Sequence, residues 1–99
     1  MIGVLSRFVV ANGMAEEVKR AFLLRPRLVD SAAGFVRLDV LSPEDAPSEI
    51  WLLTYWEDLK SYQTWHTSHN YRESHSGIPK GLKLVPGSAS LRVFDLIVS

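Results

Sequence analysis

The chain contains no cysteine, and this absence excludes several kinds of chemistry at once. Without thiols it can form no disulfide, no thiolate nucleophile and no cysteine-ligated zinc site. A cysteine-free chain suits the reducing cytoplasm, and we expect a cytoplasmic protein. No apolar run approaches the roughly 18 residues of a membrane span, and the first residues lack the basic leader of a signal peptide. We therefore expect no membrane insertion.

An excess of one charge sign is also lacking, because eleven basic residues balance eleven acidic ones. Nucleic-acid binding depends on clustered Lys and Arg with a net positive field, so this neutrality argues against a nucleic-acid partner. The apolar fraction of 46% is sufficient for a hydrophobic core. A length of 99 residues is typical of one domain, and we predict a single domain over residues 1–99.

Glycine is sparse, and its six copies are scattered at predicted turns. The chain has no phosphate-binding glycine loop, no dinucleotide fingerprint and no G-x-S-x-G nucleophile elbow. Two acidic pairs, Glu16–Glu17 and Glu44–Asp45, are interpreted as a solvated helix start and a solvated turn. These patterns exclude the common sequence signatures of hydrolases and nucleotide-binding enzymes.

Hydrophobic periodicity predicts the element order strand, helix, strand, strand, helix, strand. The predicted strands are residues 2–10, 35–41, 49–56 and 89–99, and the predicted helices are residues 14–31 and about 58–66. Pro26 has no N–H to donate, so we expect a kink or break in the first helix there. Gly34 is a predicted helix C-cap, Asp58 a predicted N-cap, and the capping-box spacing of Asn70 and Glu73 predicts a further helical turn.

This order is that of the ferredoxin-like α+β fold, an antiparallel sheet with two helices on one face. Its second face is left bare, and large apolar residues on it need a partner. We therefore predict a homodimer in which two sheets pack face to face. In the first strand Ile2, Val4, Ser6, Phe8 and Val10 share one face by period two, and Leu5, Arg7 and Val9 share the other.

All three histidines fall in the stretch WHTSHNYRESH, from Trp65 to His75. His66 and His69 have the weak H-x-x-H spacing of a zinc site, but we interpret them as exposed residues at a helix end. His75 is four residues after Tyr71, so both side chains share a face if this segment is helical. Trp65 and His75 then line one pocket, or they are ordinary core residues; the residue pattern alone leaves both open.

Three stretches carry a resemblance to a known family: RLVDSAAGFVRLDVL, WLLTYWEDLKSYQTW and YRESH. They resemble the antibiotic-biosynthesis-monooxygenase-like domains, a superfamily of dimeric α+β barrels, over residues 4–98. The strongest matches are Gly34–Phe35, Trp56–Glu57 and Trp65. The superfamily includes quinol oxygenases and haem-degrading enzymes, so the resemblance implies the fold more firmly than the chemistry.

The IsdG-type haem-degrading monooxygenases of this superfamily carry a triad of Asn, Trp and His. The resemblance implies that Trp65 presses on the porphyrin, that His75 ligates the haem iron, and that Ser6 stands where the family has Asn. It also implies cofactor contacts from Arg7 and Phe22. Serine still donates a hydrogen bond, but it is shorter than Asn, which affects catalysis more than haem binding.

Three hypotheses follow from the sequence. The first is an O₂-dependent haem-degrading monooxygenase with an external electron donor. The second is a cofactor-independent oxygenase of a quinol or other aromatic substrate, with Trp51, Trp56, Tyr55 and Tyr71 forming a flat apolar pocket and His75 or His69 acting as base. The third is a non-enzymatic dimeric binding module in which Ser6 is only a small core residue.

Overall fold

The secondary structure follows the predicted order in a computed structural model that describes residues 1–25, 27–69, 71 and 79–99. The elements are β1 (Ile2–Val9), α1 (Ala15–Leu23), a 3₁₀ helix (Leu28–Ser31), β2 (Phe35–Leu41), β3 (Glu49–Trp56), α2 (Leu59–His66) and β4 (Ser90–Asp95). The strands form one antiparallel sheet with the order β2-β3-β1-β4. The predicted ferredoxin-like α+β fold is therefore confirmed.

The two sides of the sheet differ because successive side chains of a strand point to opposite faces. On β1 the even-numbered residues, from Ile2 to Val10, face the helices, and we call this the helix-facing side. On β3, Trp56, Thr54, Leu52 and Ile50 lie opposite these residues and share that side. The other side, which we call the open face, carries Leu5, Arg7, Trp51, Leu53 and Tyr55, and no helix of the described residues covers it.

The core on the helix-facing side consists of two separate clusters. The first cluster contains Ile2, Val4, Val29, Trp56 and Trp65, and the second contains Val10, Val18 and Ile50. Trp56 and Ile50 both lie on β3 and have 0% exposure, so each cluster contains one completely enclosed side chain from this strand. Burial of such side chains is the main favourable term in the free energy of folding.

The first helix is shorter than predicted, because α1 ends at Leu23 instead of continuing to residue 31. Leu23 and Leu24 are 85% and 74% exposed, so the predicted apolar stripe stops there. Arg27 has a φ of 59°, which lies in the left-handed region, and a separate 3₁₀ helix begins after it at Leu28. The expected break in the helix is present, and Pro26, to which the prediction attributed it, lies outside the described residues.

An ion-pair cluster closes this turn. Asp30 accepts hydrogen bonds from Arg25 at 3.3 Å and from Arg27 at 2.9 Å. Partial burial raises the pKa of Asp30, but the hydrogen bonds and charges of the two arginines outweigh it and lower the pKa overall. The carboxylate thus connects the residues on both sides of the turn and stabilises the left-handed backbone of Arg27.

The start of α2 is fixed by a side-chain cap and a close approach to the preceding turn. The Asp58 carboxylate accepts from the Ser61 backbone N–H at 2.8 Å, which confirms the predicted N-cap, and the hydrogen bonds from Ser61 lower the pKa of Asp58. Gly34 has a φ of +79°, and a Cβ there would collide with the Ser61 side chain. Its carbonyl accepts from Glu57 N–H at 2.8 Å. Only glycine lets the turn and α2 approach so closely.

The predicted loop before β4 runs, in its described part, along the end of β1. Val10 and Leu84 form an isolated bridge, and the Val85 N–H donates to the Val9 carbonyl at 2.8 Å. None of the helices in the described ranges is long and apolar enough to cross a bilayer.

Candidate functional site

Ser6 lies between the two core clusters, on the helix-facing side of β1. Ile2 and Val4 precede it in the first cluster, and Phe8 and Val10 follow it with the second. Ser6 is half-buried, and its neighbours across the sheet are Leu52 on β3 and Leu91 on β4. Ser6 is therefore the one hydroxyl-bearing residue among these inward-facing positions of β1, and its neighbours along and across the sheet are apolar.

The β4 side of Ser6 carries apolar side chains. Leu91 and Val93 pair with Ser6 and Val4 and so lie on the helix-facing side of the sheet, yet they are 54% and 48% exposed. Sequence reasoning placed the closing strand correctly but assigned Leu91 and Val93 no part in the site; the period-two pattern of β4 was the available signal.

Trp65 belongs to the core cluster on one side of Ser6. The Asp58 cap fixes the start of α2. Tyr62 and Trp65 are three residues apart on this helix and therefore point to the same side of it. Trp65 is 9% exposed within the first cluster, and its ring meets the Tyr71 ring edge-on at 6.0 Å between centroids. Its indole is thus held in place by packing from both the sheet and the segment after α2.

Phe22 lies with the opposite cluster. It is half-buried on α1 and packs against the second cluster together with Phe8 and Leu52. Ser6 therefore has Trp65 in the cluster on one side and Phe22 beside the cluster on the other. Three of the five predicted site residues, Ser6, Trp65 and Phe22, therefore lie on the helix-facing side, and Trp65 and Phe22 pack with different apolar clusters.

Arg7 does not belong to this arrangement. It points to the open face, where its Nε donates to Glu49 at 3.0 Å and its guanidinium lies 5.7 Å from the centre of the Trp51 ring. Arg7 and Ser6 lie on opposite sides of the sheet, because neighbouring residues of a strand face opposite sides. The cofactor contact of Arg7 stays a prediction from the family resemblance.

His75, the predicted metal ligand, lies outside the described residues. His66 and His69 are exposed, as the sequence predicted, but His66 is not without contacts: its ring lies 5.6 Å from that of Tyr62 and 4.5 Å from that of Tyr71. In the part of the chain that the structure describes, no group of three or more His, Asp or Glu side chains is placed to hold a metal ion.

A separate open groove also reaches Trp65. It has a volume of about 310 Å³ and is lined by Ala32, Ala33, Asp58, Lys60, Ser61, Thr64, Trp65 and Ser68. Neither Ser6 nor Phe22 lines it. Trp65 thus borders this groove and also belongs to the first cluster.

The surroundings of Tyr62 favour its neutral phenol. Burial raises the pKa of the Tyr62 phenol, and the neighbouring Tyr71 raises it further. Tyr62 also packs edge-on against Trp56 with ring centroids 5.8 Å apart. The Tyr62 phenol therefore stays uncharged at neutral pH.

The arrangement of strands and helices defines a ferredoxin-like α+β protein, and comparison with known proteins defines the family. The model of the antibiotic biosynthesis monooxygenase family matches residues 1–77, and the chain belongs to that family. A search of curated protein sequences finds no match.

Several solved structures share the fold. The haem degrader MhuD from Mycobacterium tuberculosis, with two haems in its active site, is 21% identical with a TM-score of 0.80, covering 100% of this chain and 98% of that one. A point mutant of MhuD, with two manganese protoporphyrins per active site, is 20% identical to this chain with a TM-score of 0.82, and the match covers 100% of this chain and 97% of that one. SnoaB from Streptomyces nogalater, a cofactor-independent oxygenase, is 16% identical with a TM-score of 0.77, and the match covers 99% of this chain and 94% of that one. At these identities the likeness shows the fold alone.

Proposed function

We propose that the protein is a haem-binding monooxygenase of the haem-degrading type. The observation that carries the proposal is the position of Ser6 between the two core clusters, with Trp65 in the cluster on one side and Phe22 beside the cluster on the other. The exposed apolar side chains of Leu91 and Val93 on the same side of the sheet offer contacts to a flat hydrophobic macrocycle. The haem-bound MhuD structures support the proposal at the level of the fold.

Bound haem supplies the iron that binds and activates O₂, with electrons from an external donor. Trp65 would place a rigid indole against the bound group. The Ser6 hydroxyl would donate a hydrogen bond to a polar ligand beside it, and Phe22 would exclude water on the side of the second cluster. From the family resemblance we propose that His75 would hold the iron.

The test is a hemin titration followed by the Soret band. We expect saturable binding in the wild type, a loss of at least about tenfold in affinity in His75→Ala, and no change in His69→Ala, the matched control at an exposed histidine. Equal binding by wild type and His75→Ala would overturn the assignment of the ligand, and absence of saturable binding would overturn the haem function.

Ser6 supports a second candidate, an oxygenase that uses no cofactor and acts on a quinol or other aromatic substrate. Serine places its hydroxyl closer to the strand than Asn does, which leaves more room above β1 for a substrate. SnoaB shows that the fold accommodates a cofactor-independent oxygenase. Oxygen uptake by the haem-free protein with a hydroquinone supports this candidate, and a strict requirement for added hemin excludes it.

Both candidates are proposed to act as a homodimer formed through the open face. Leu5, Leu53 and Trp51 stand together there with no helix among the described residues to cover them. Sedimentation equilibrium tests this: Leu53→Asp should convert a dimer to a monomer, and Leu23→Asp, the same change at an exposed position of α1, should not. A monomeric wild type, or a dimer in both variants, contradicts the proposed interface.

A further inference from the structure

Six aromatic rings make an unbroken series of contacts along α2 and the sheet beneath it. The distances between successive ring centroids are 5.4 Å for Phe35–Trp56, 5.8 Å for Trp56–Tyr62, 5.6 Å for Tyr62–His66, 4.5 Å for His66–Tyr71 and 6.0 Å for Tyr71–Trp65. All of them fall within the range of interacting rings. The series begins at Trp65, beside the candidate site, and passes the exposed ring of His66.

Four members are of the residue types that lose a single electron most readily in a chain without cysteine, namely Trp65, Trp56, Tyr71 and Tyr62. A phenol is oxidised somewhat more easily than an indole, so an oxidised Trp65 draws an electron from Tyr71. Electron tunnelling between rings at these separations is fast compared with enzymatic turnover. The order of the rings therefore favours transfer of an oxidising equivalent away from Trp65.

Oxidation of a phenol also releases a proton, which needs an acceptor. His66 lies in ring contact with both Tyr62 and Tyr71 and reaches solvent, so its imidazole can take the proton and pass it to water. Trp56 offers no such route, because it is 0% exposed and its N–H donates to the Thr54 hydroxyl at 2.9 Å. The branch towards Trp56 and Phe35 thus ends in the core.

We propose that Trp65, Tyr71 and Tyr62 form a redox relay that carries an oxidising equivalent from the candidate site to the exposed side of α2 at His66. A one-electron oxidant beside Trp65 takes an electron from the indole, whose N–H proton passes to water. The indolyl radical takes an electron from Tyr71 and regains a proton from water, while the phenol proton passes to His66. Tyr62 then reduces Tyr71 across the His66 ring that contacts both: Tyr71 regains a proton from water, and the Tyr62 phenol proton passes to His66 once His66 has given its first proton to water.

A soluble donor of one electron and one proton, such as ascorbate, returns the final phenoxyl radical to tyrosine. The relay goes beyond the proposed function and requires no bound haem. In a protein that handles O₂, it removes an oxidising equivalent formed in the absence of substrate before the indole of Trp65 is permanently modified.

The composition of the chain makes the relay directly testable. The chain has no cysteine, so Thr64→Cys, on the exposed surface of α2 next to Trp65, accepts one ruthenium polypyridyl label. Flash excitation with hexaammineruthenium(III) as quencher then produces a Ru(III) oxidant at that point. The tyrosines number three, and Tyr55 points to the open face, so Tyr55→Phe is a matched control for Tyr62→Phe and Tyr71→Phe.

In the labelled parent, transient absorption should show the tryptophanyl radical decaying as a tyrosyl radical appears. We expect Tyr71→Phe to lengthen the tryptophanyl lifetime and to lower the tyrosyl yield, each several-fold, and Tyr55→Phe to change neither. Unchanged kinetics in the double variant Tyr62→Phe/Tyr71→Phe would overturn the relay. So would loss of the tyrosyl signal in Tyr55→Phe.

His66→Phe provides a second measurement that keeps a ring in place but removes the base. Tyrosyl formation should slow several-fold in this variant and recover on addition of imidazole to the buffer. Circular dichroism spectra matching the parent establish that each variant is folded. Formation at the parent rate in His66→Phe contradicts the role of His66 as proton acceptor.

Discussion

The two sides of the sheet hold aromatic rings in different surroundings. On the helix-facing side Trp56 is completely enclosed, with rings of Phe35 and Tyr62 packed edge-on against it. On the open face Trp51, Tyr55 and Phe94 each lie under an arginine, at 5.7, 5.3 and 5.1 Å from guanidinium carbon to ring centre. Close packing stabilises the first set of rings, and cations shield the second.

This difference assigns the two sides different roles. Packing against helices contributes several kcal/mol per large side chain, whereas an exposed cation–π pair contributes about 0.5–1 kcal/mol. Arginine also keeps each open-face ring soluble while leaving its planar surface available for stacking. We infer that the helix-facing side provides most of the folding free energy, and that the open face is suited to association.

Replacement of one tryptophan on each side gives the largest expected effect. Trp56→Ala should lower the free energy of unfolding by about 3–5 kcal/mol, because a large cavity forms in a closed cluster. Trp51→Ala should cost less than half as much. Urea unfolding at one fixed protein concentration measures both, and equal losses would contradict the assignment of roles.

Gly34→Ala tests how closely the helix-facing side is packed at the start of α2. A positive φ combined with collision against Ser61 should destabilise the fold by more than about 1 kcal/mol. Gly13→Ala is the matched control, because Gly13 has a φ of +74° but nothing lies within 4 Å of an added Cβ. The difference between their unfolding free energies measures the contact alone. Equal losses would show that backbone strain, and not packing, sets the cost.

Arg7→Met addresses the open face without changing an enclosed side chain. The variant leaves the Glu49 carboxylate, which also accepts from the Trp51 indole at 2.7 Å, without its ion pair. We expect a loss of less than about 1 kcal/mol in unfolding free energy, since Arg7 is largely solvated. Lys19→Met, which breaks the surface pair with Glu16, provides the control. If Arg7→Met lowered the unfolding free energy as much as Trp56→Ala, the helix-facing side would not provide most of the folding free energy.

The smallest expected effect is the pH dependence due to Asp30. Its pKa is lowered in the folded state, so its stabilising contribution is present above the unfolded-state pKa and is lost as the pH falls through the folded-state pKa. Asp30→Asn should therefore reduce the loss of stability between about pH 6 and about pH 3. Thermal unfolding at both values measures it, and an identical pH slope in both proteins would contradict the ion-pair cluster.

Local patterns predicted the strands and the second helix well. The bounds of β2 and β3 and the Asp58 cap were predicted correctly because each depends on neighbouring residues only. The first helix was wrong beyond Leu23, since the left-handed turn at Arg27 depends on a carboxylate several residues further along. Ionic contacts across a turn do not follow from periodicity.

The candidate site was predicted unevenly for a related reason. Alternation along β1 correctly placed Ser6 and Arg7 on opposite faces, whereas the family resemblance assigned both to one cofactor. The burial of Trp65 followed from its position on α2. The contacts of Tyr71 with Trp65 and His66 depend on how the chain turns after α2, which no short-range pattern specifies.

The three tryptophans occupy three distinct environments, and this distribution makes the protein its own fluorescent reporter. Trp56 is completely enclosed, Trp65 is 9% exposed beside the candidate site, and Trp51 lies on the open face. Emission shifts to the red as an indole becomes hydrated, so single-tryptophan variants separate the loss of the core, occupation of the site and contact between subunits. One emission spectrum of the unlabelled chain therefore contains a signal from each of these events.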